Sequence, residues 1–262
     1  MLELSHGIKL YHQDNVEFMA SFTDDFFCLA HIDPPYGIKA SKPTKKPHRV
    51  KQTNGKVLKV KETGYKPKQW DMVPASKEFG KEIFRISKNQ IIWGANFFDW
   101  IVDKPFKPPR RHEYKEFIKK HPKGWIIWDK VNGDSDQYDC ELAWTSLDIP
   151  TSIIYFMWRG MMQGSLADGT KQEGNKKLNE KRIHPTQKPV RLYEKVIIKI
   201  KQELPDLKKV VDTGLGSGSH AIACAKNELE LYGCEIDDDY WDKLVNWINL
   251  ELKKLNQLNL FG

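Results

Sequence analysis

Six apolar runs of six to eight residues do most to limit what this chain can fold into. They are "FCLAHI" (27–32), "NQIIWGA" (89–95), "GWIIWD" (124–129), "TSIIYFMW" (151–158), "KKVVDT" (208–213) and "ELYGCEI" (230–236). Each is bounded by polar, glycine or proline residues, as buried strands of a mostly parallel sheet are. Helical patterns lie between several of them. Phe79, Ile83, Phe84 and Ile86 mark a helix over 76–87, and Leu192, Val196, Ile197 and Ile200 share one face over 189–204. Residues 220–228 are small and apolar, and 239–255 is amphipathic. Strands alternating with helices predict a doubly wound α/β sheet.

A chain of 262 residues, 40% of them hydrophobic, suits one large domain over 1–262. Two long stretches fit no element, 39–69 and 159–183, and both read as insertions. A third basic stretch spans 104–124. The net charge of +7 is concentrated: residues 39–68 hold eleven of the 42 Lys and Arg and one of the 35 acids. A positive field confined to one segment predicts a polyanion partner. No apolar run is long enough for a transmembrane helix, and the N-terminal residues lack the apolar core of a signal peptide. A cytosolic protein with no membrane partner is expected. Cys28, Cys140, Cys224 and Cys234 form no C-x-x-C pair, so neither a zinc site nor a disulfide framework is expected.

The stretch "VVDTGLGSGSHAIACA" (210–225) joins a β run to a small-residue helix through Gly214, Gly216 and Gly218, and ends its loop at Ser219. Glycine allows backbone conformations and close approach that a Cβ forbids. The spacing is not the G-x-G-x-x-G of dinucleotide folds, and the G-K-[ST] of a phosphate loop is missing. Glu235, about twenty residues on at the end of the next β run, can accept both hydroxyls of a ribose. A glycine loop plus an acid, without a phosphate fingerprint, suits S-adenosylmethionine. Asp237, Asp238 and Asp239 read as capping and first-turn charges rather than metal ligands.

The run 27–32 ends in "DPPY" (33–36). With "WD" (70–71), "IIWGANFF", "GWIIWDK", "HPTQKP" (184–189) and the later glycine loop, the chain resembles the DNA amino-methyltransferases. The likeness is to the permuted class, in which the catalytic motif precedes the cofactor loop, and it covers nearly the whole chain. It implies a Rossmann-like methyltransferase fold with inserted DNA-binding loops. An exocyclic amino group is a poor nucleophile because its lone pair is delocalised into the ring. The Asp33 carboxylate and the Pro34 carbonyl can accept its two hydrogens and aim the lone pair at a methyl donor. Pro34 and Pro35 fix φ and donate no N–H, which makes the shelf rigid. Tyr36 can stack on the base, which must first leave the helix. Catalysis is then positioning and electrostatic preorganisation.

The resemblance places His184, Pro185, Thr186, Gln187 and Lys188 beside the methionine end of the cofactor, and Asp14 near its adenine. Thr186 is a candidate cap for the helix that follows. The loop from Asp212, through Gly214, Gly216, Ser217, Gly218 and Ser219, and the pair Glu235–Ile236 complete the expected cofactor site. One departure stands out: the family's loop usually reads D-P-F-x-G-S-G-[ST], and here Thr213 and Gly214 replace the proline and the aromatic. Weakened cofactor binding is expected.

On the nucleic-acid side the resemblance makes 39–69 the loop that grips the DNA backbone, with Lys45, Lys46, Arg49 and Lys51 as phosphate contacts. Base reading is expected from 159–183, where Arg159, Gln163, Lys171, Gln172 and Asn175 can reach base edges, with 104–123 as a second candidate. Trp70 and Trp158 read as core or rim aromatics. The sequence thus predicts an S-adenosylmethionine-dependent methyltransferase acting on adenine N6 in double-stranded DNA, with a homodimer expected from the permuted class. Cytosine N4 is the alternative, because the preference of DPPY for adenine is statistical. Two further readings compete less well: a decayed, non-catalytic DNA-binding scaffold, supported only by Gly214, and a nicotinamide oxidoreductase, which has the wrong glycine spacing.

Overall fold

Neighbouring residues of the predicted strands belong to different cores. Leu29, Ile91, Ile126 and Val210 pack into one buried cluster, while Ala30, Ile92, Ile127 and Val211 pack into another. This two-residue alternation is that of a sheet covered on both faces. The computed structural model describes residues 1–38, 48–51, 57–60, 71–133, 138–159, 162–165, 168–172 and 179–260. In chain order the elements begin β1 (Leu2–Leu4), β2 (Ile8–His12), α1 (Asn15–Ala20), β3 (Leu29–Ile32), β4 (His48–Lys51), β5 (Val57–Val60), α2 (Lys77–Ile86) and β6 (Gln90–Trp93). They continue with α3 (Tyr114–Lys120), β7 (Trp125–Asp129), β8 (Cys140–Thr145), β9 (Ser152–Tyr155), β10 (Trp158–Arg159) and β11 (Met162–Gln163). The last part is α4 (Val190–Glu203), β12 (Lys209–Asp212), α5 (Ser219–Lys226), β13 (Glu230–Glu235) and α6 (Asp238–Leu260).

Nine strands form one sheet in the order β1-β2-β13-β12-β3-β6-β8-β7-β9. From β2 to β6 every neighbouring pair is parallel, and β1 and β8 run against the rest. The middle of the sheet places the site. From β3 the chain crosses through α2, whose Phe79, Ile83 and Ile86 join the second core. From β12 it crosses through α5, whose Ala221 and Ile222 join the first. The adjacent strands β3 and β12 therefore send their connections to opposite faces, which opens a crevice at their carboxyl ends.

The structure also departs from the sequence reading. Strands β1, β2 and β8 were not expected. In "IKLYH" and "CELAWT" the apolar run is interrupted by Lys9, which pairs with Tyr232 and Glu230 on β13, and by Glu141, which pairs with Lys188. Phe84 does not belong to the buried face of α2 and is 41% exposed. Segments that fit no element contain some: β4 pairs with β5 inside 39–69, β10, which starts at Trp158, pairs with β11 at the beginning of 159–183, and α3 lies inside 104–124. Short hairpins of polar residues carry no apolar periodicity to find. Among the described residues no helix is long and apolar enough to cross a membrane, and all four cysteines are free thiols.

Candidate active site

The turn after β3 is pinned from two sides. Asp71 Oδ1 accepts hydrogen bonds from the backbone N–H groups of Tyr36 (3.0 Å) and Gly37 (2.9 Å). The Pro35 carbonyl accepts from Ala75 N at 3.1 Å. The Tyr36 ring lies against Gly94, at the end of β6, where the backbone is left-handed (φ 66°) and any Cβ would overlap the ring. It stacks on Phe97 with centroids 5.5 Å apart. Both the conformation and the close approach thus require glycine at 94.

Side-chain charges converge on this turn. Tyr36 donates its hydroxyl proton to Asp33 Oδ1 (2.5 Å), and Lys188 Nζ donates to the Tyr36 oxygen (2.9 Å). Lys188 also pairs with Asp33 Oδ2 at 2.5 Å and Glu141 Oε2 at 3.0 Å, while Lys130 pairs with Glu141 Oε1 at 2.5 Å. Burial works against ionisation at Glu141, but Lys130 and Lys188 outweigh it and hold the carboxyl at about 2. Burial lifts Asp33 above the usual carboxylate range, with Lys188 pulling the other way and Glu141 adding to the rise. Burial also opposes the charge on Lys188, yet Asp33 and Glu141 carry its pKa above the ordinary value.

The glycine loop follows β12. Gly214 N donates to Asp212 Oδ1 at 3.2 Å, and Asp212 Oδ2 lies 3.0 Å from His220 Nδ1. Gly216 N donates to Glu235 Oε2 at 2.8 Å, and Asp237 N to Glu235 Oε1 at 2.9 Å. Each Glu235 oxygen accepts one of these bonds, and a carboxylate oxygen has two lone-pair sites. Gly218, at φ 80°, precedes α5 so tightly that a Cβ would lie 2.7 Å from Ile248. Ser217 and Ser219 share a hydroxyl contact of 2.8 Å. Beside Gly214 there is open space, with nothing within 4 Å of an added Cβ.

One cavity joins these parts across the ends of β3, β12 and β13, three neighbouring strands spanning roughly 10 Å. Asp33 and Pro35 line it at one strand, Gly214, Gly216 and Ser217 at the next, and Glu235 and Ile236 at the third. Asp14, His184, Thr186, Gln187 and Lys188 line it from the flanking segments. Asp14 also caps α1 by accepting from Val16 N at 2.8 Å. The remaining expected residues, Pro34, Tyr36, Pro185, Asp212, Gly218 and Ser219, do not line the cavity; Asp212 and Ser219 are buried behind it.

The segment 184–189 is held differently from expectation. Thr186 does not cap α4: it is exposed, and its hydroxyl lies 3.1 Å from His184 Nδ1. The N-cap is Pro189, whose side chain has no acceptor to cap with; the first helical N–H, of Val190, is met instead by Glu180 Oε2 (2.9 Å), while Oε1 accepts from Gln187 Nε2 (2.7 Å). Burial pushes this carboxyl up to about 7 against both hydrogen bonds. Burial holds His184 down at about 3, against the opposing pull of Asp237, so it is a neutral imidazole at neutral pH.

Of the expected DNA contacts, Arg159 is exposed on β10 and donates to the Asn132 carbonyl at 3.1 Å. Arg49 and Lys51 lie on β4, and Lys45, Lys46, Trp70 and Asn175 lie outside the described residues. Gln163 is not free to read a base. It is buried, and its amide exchanges two 2.7 Å hydrogen bonds with the backbone of Glu180. Trp158 is a core aromatic that donates to the Gln187 carbonyl at 2.8 Å.

A family model described as DNA methylase matches residues 27–246, from β3 into α6. The chain belongs to the DNA methylase family. Among solved structures, the M1.HpyAVI–SAM complex is 19% identical over 91% of this chain and 98% of that one, with a TM-score of 0.46. The PvuII DNA methyltransferase (cytosine-N4-specific) is 13% identical over 94% of this chain and 93% of that one, with a TM-score of 0.44. No curated protein matches the chain.

In this DNA methylase, sequence reasoning gave no role to Asp71, Gly94, Glu141 or Glu180. Asp71 and Gly94 sat inside quoted motifs, "WD" and "IIWGANFF", which were a usable signal. Glu141 and Glu180 had none, because their partners lie on other elements.

Proposed function

We propose that this DNA methylase methylates the N6 amino group of adenine in duplex DNA, with S-adenosylmethionine as methyl donor. The observation that carries the reading is the single cavity shared by Asp33, the glycine loop and Glu235. The donor set fits the cofactor: Glu235 offers lone pairs to two ribose hydroxyls, and the glycines let the backbone approach closely. Asp14, Asp33, Glu235 and Asp237 give the wall an acidic excess over Lys188, which suits a sulfonium cation. When bound, the cofactor supplies an activated methyl group on sulfur. The protein's own part is positional. Asp33 and the Pro34 carbonyl take hydrogen bonds from the amino group, which frees its lone pair, and Tyr36 supplies a ring face for the extruded base. Asp33-Pro34-Pro35-Tyr36 standing before the glycine loop supports the adenine reading and the permuted class. The basic segment 39–69 supplies phosphate contacts through Lys45, Lys46, Arg49 and Lys51, and Arg159 stands exposed for the same strand or the next.

The test is transfer of labelled methyl from S-adenosylmethionine to genomic DNA, with mass spectrometry of the nucleosides and Asp33→Ala as control. N6-methyladenine that vanishes in the variant is the expected result. N4-methylcytosine would keep the residue roles and change the base. DNA binding without any methylated base would sink the reading.

A further inference from the structure

Lys188 lies in the segment expected to hold the cofactor, yet its ammonium pairs with Asp33, Tyr36 and Glu141. We propose that Lys188 is a positioning residue for methyl transfer, holding Asp33 in place for the target amino group with Glu141 as its counter-charge; this rests on the role given to Asp33 above.

The geometry is complete in itself. The Lys188 side chain is 3% exposed, and an ammonium has three donors. Three oxygens surround it: the Tyr36 hydroxyl accepts a hydrogen bond at 2.9 Å, and Asp33 Oδ2 at 2.5 Å and Glu141 Oε2 at 3.0 Å are its ion-pair partners. The ammonium also sits 5.2 Å from the Trp93 ring and 5.4 Å from the Tyr36 ring, an aromatic wall on its apolar side. These partners come from the β3 turn, β8 and β6, so one side chain ties together three elements that meet at the site.

The chemistry needs both charges. A carboxylate in a buried pocket tends to take up a proton, and a protonated Asp33 loses acceptor strength toward an amino group. The adjacent ammonium opposes that. A cation alone beside a nitrogen that gains positive charge would oppose transfer. Glu141 offsets it, and the trio of Asp33, Lys188 and Glu141 carries one net negative charge. Lys130 meets only the far oxygen of Glu141. The other titratable groups facing Asp33 and Lys188 are Tyr36, Tyr193 from α4, His31 from β3 and His184, which burial holds neutral. Both tyrosines are held far above their usual pKa by burial first, and His31 is held below its own by burial, so these groups too stay neutral at neutral pH.

The experiment is single-turnover methyl transfer as a function of pH for the wild-type protein, Lys188→Met, Lys188→Arg and Glu141→Gln, with cofactor affinity by calorimetry and folding by circular dichroism. Removing the cation raises the Asp33 pKa, so the acid limb of the Lys188→Met profile moves to higher pH. On that limb the rate falls about tenfold for every pH unit the limb has moved, and it recovers as pH rises. Lys188→Arg restores the wild-type limb at least in part. Glu141→Gln removes a charge that lifts Asp33, so its limb moves to lower pH. Opposite movements are not what general loosening of the site produces. Folded variants that keep the wild-type limb overturn the proposal. So does a Lys188→Met variant whose whole defect is lost cofactor affinity, which would assign the lysine to the cofactor instead. If Lys188→Met does not fold, Glu141→Gln decides by the same criterion. Wild-type protein that methylates no base overturns the functional reading itself. When only the role of Lys188 fails, the wild type methylates DNA and the folded variants keep its acid limb or lose only cofactor affinity.

Discussion

The two ends of the cavity are built from different materials. At the Asp33 end, charged side chains from the β3 turn, β7–β8 and the segment before α4 interlock within hydrogen-bonding distance. At the Glu235 end, backbone N–H groups bonded to Glu235 shape the wall beside the Asp14 and Asp237 carboxylates, and the space beside Gly214 is open. A buried charge cluster tolerates little change, because removing one member leaves the others unpaired. A backbone-built wall tolerates more. The contrast fits the two tasks of aiming one atom and holding a cofactor that must also leave.

Substitutions at the two ends therefore differ in size and kind. Asp33→Ala carries the largest expected effect: a rate loss of about a thousandfold at saturating cofactor, with cofactor affinity changed by only a few fold. A comparable loss of affinity would show that the two ends are not separable. Glu235→Ala is expected to weaken the cofactor about ten- to hundredfold, seen by calorimetry, with most of the single-turnover rate recovered at saturation. Asp71→Ala comes next. Losing the acceptor for two amides at the turn after β3 should cost about 1–3 kcal/mol in urea unfolding, and Asp71→Asn, which keeps an acceptor oxygen, should recover most of it. The smallest effect belongs to Gly214→Phe, which has room for a side chain and should tighten the cofactor a few fold through added apolar contact. Weaker binding there would mean that the open space already serves the cofactor.

What could be read in the sequence follows the same division. The glycine loop, Glu235 and the Asp33 turn are local patterns, and the sequence placed them on the right strands because strand ends and tight turns are written in consecutive residues. Strands β2 and β8 escaped because Lys9 and Glu141 interrupt their apolar runs, and Glu141 does so because it belongs to the site. The role of Lys188 was not legible, since a lysine in "HPTQKP" does not say which way its ammonium turns. The capping of α4 was misassigned to Thr186 for a related reason. A cap is usually sought at the preceding residues, whereas Glu180 reaches Val190 from ten positions upstream.

That reach ties the hairpin β10–β11 to the cofactor wall through Gln163, Glu180 and Gln187, in an unbroken series of 2.7 Å hydrogen bonds. The proposed recognition segment is thus not a detachable module. Exchanging 159–183 for the matching segment of another enzyme would move the proposed base reader, but unless the incoming segment keeps Gln163 and Glu180, the start of α4 loses its anchor. Retargeting such a protein to a new DNA sequence would have to work between those two fixed points.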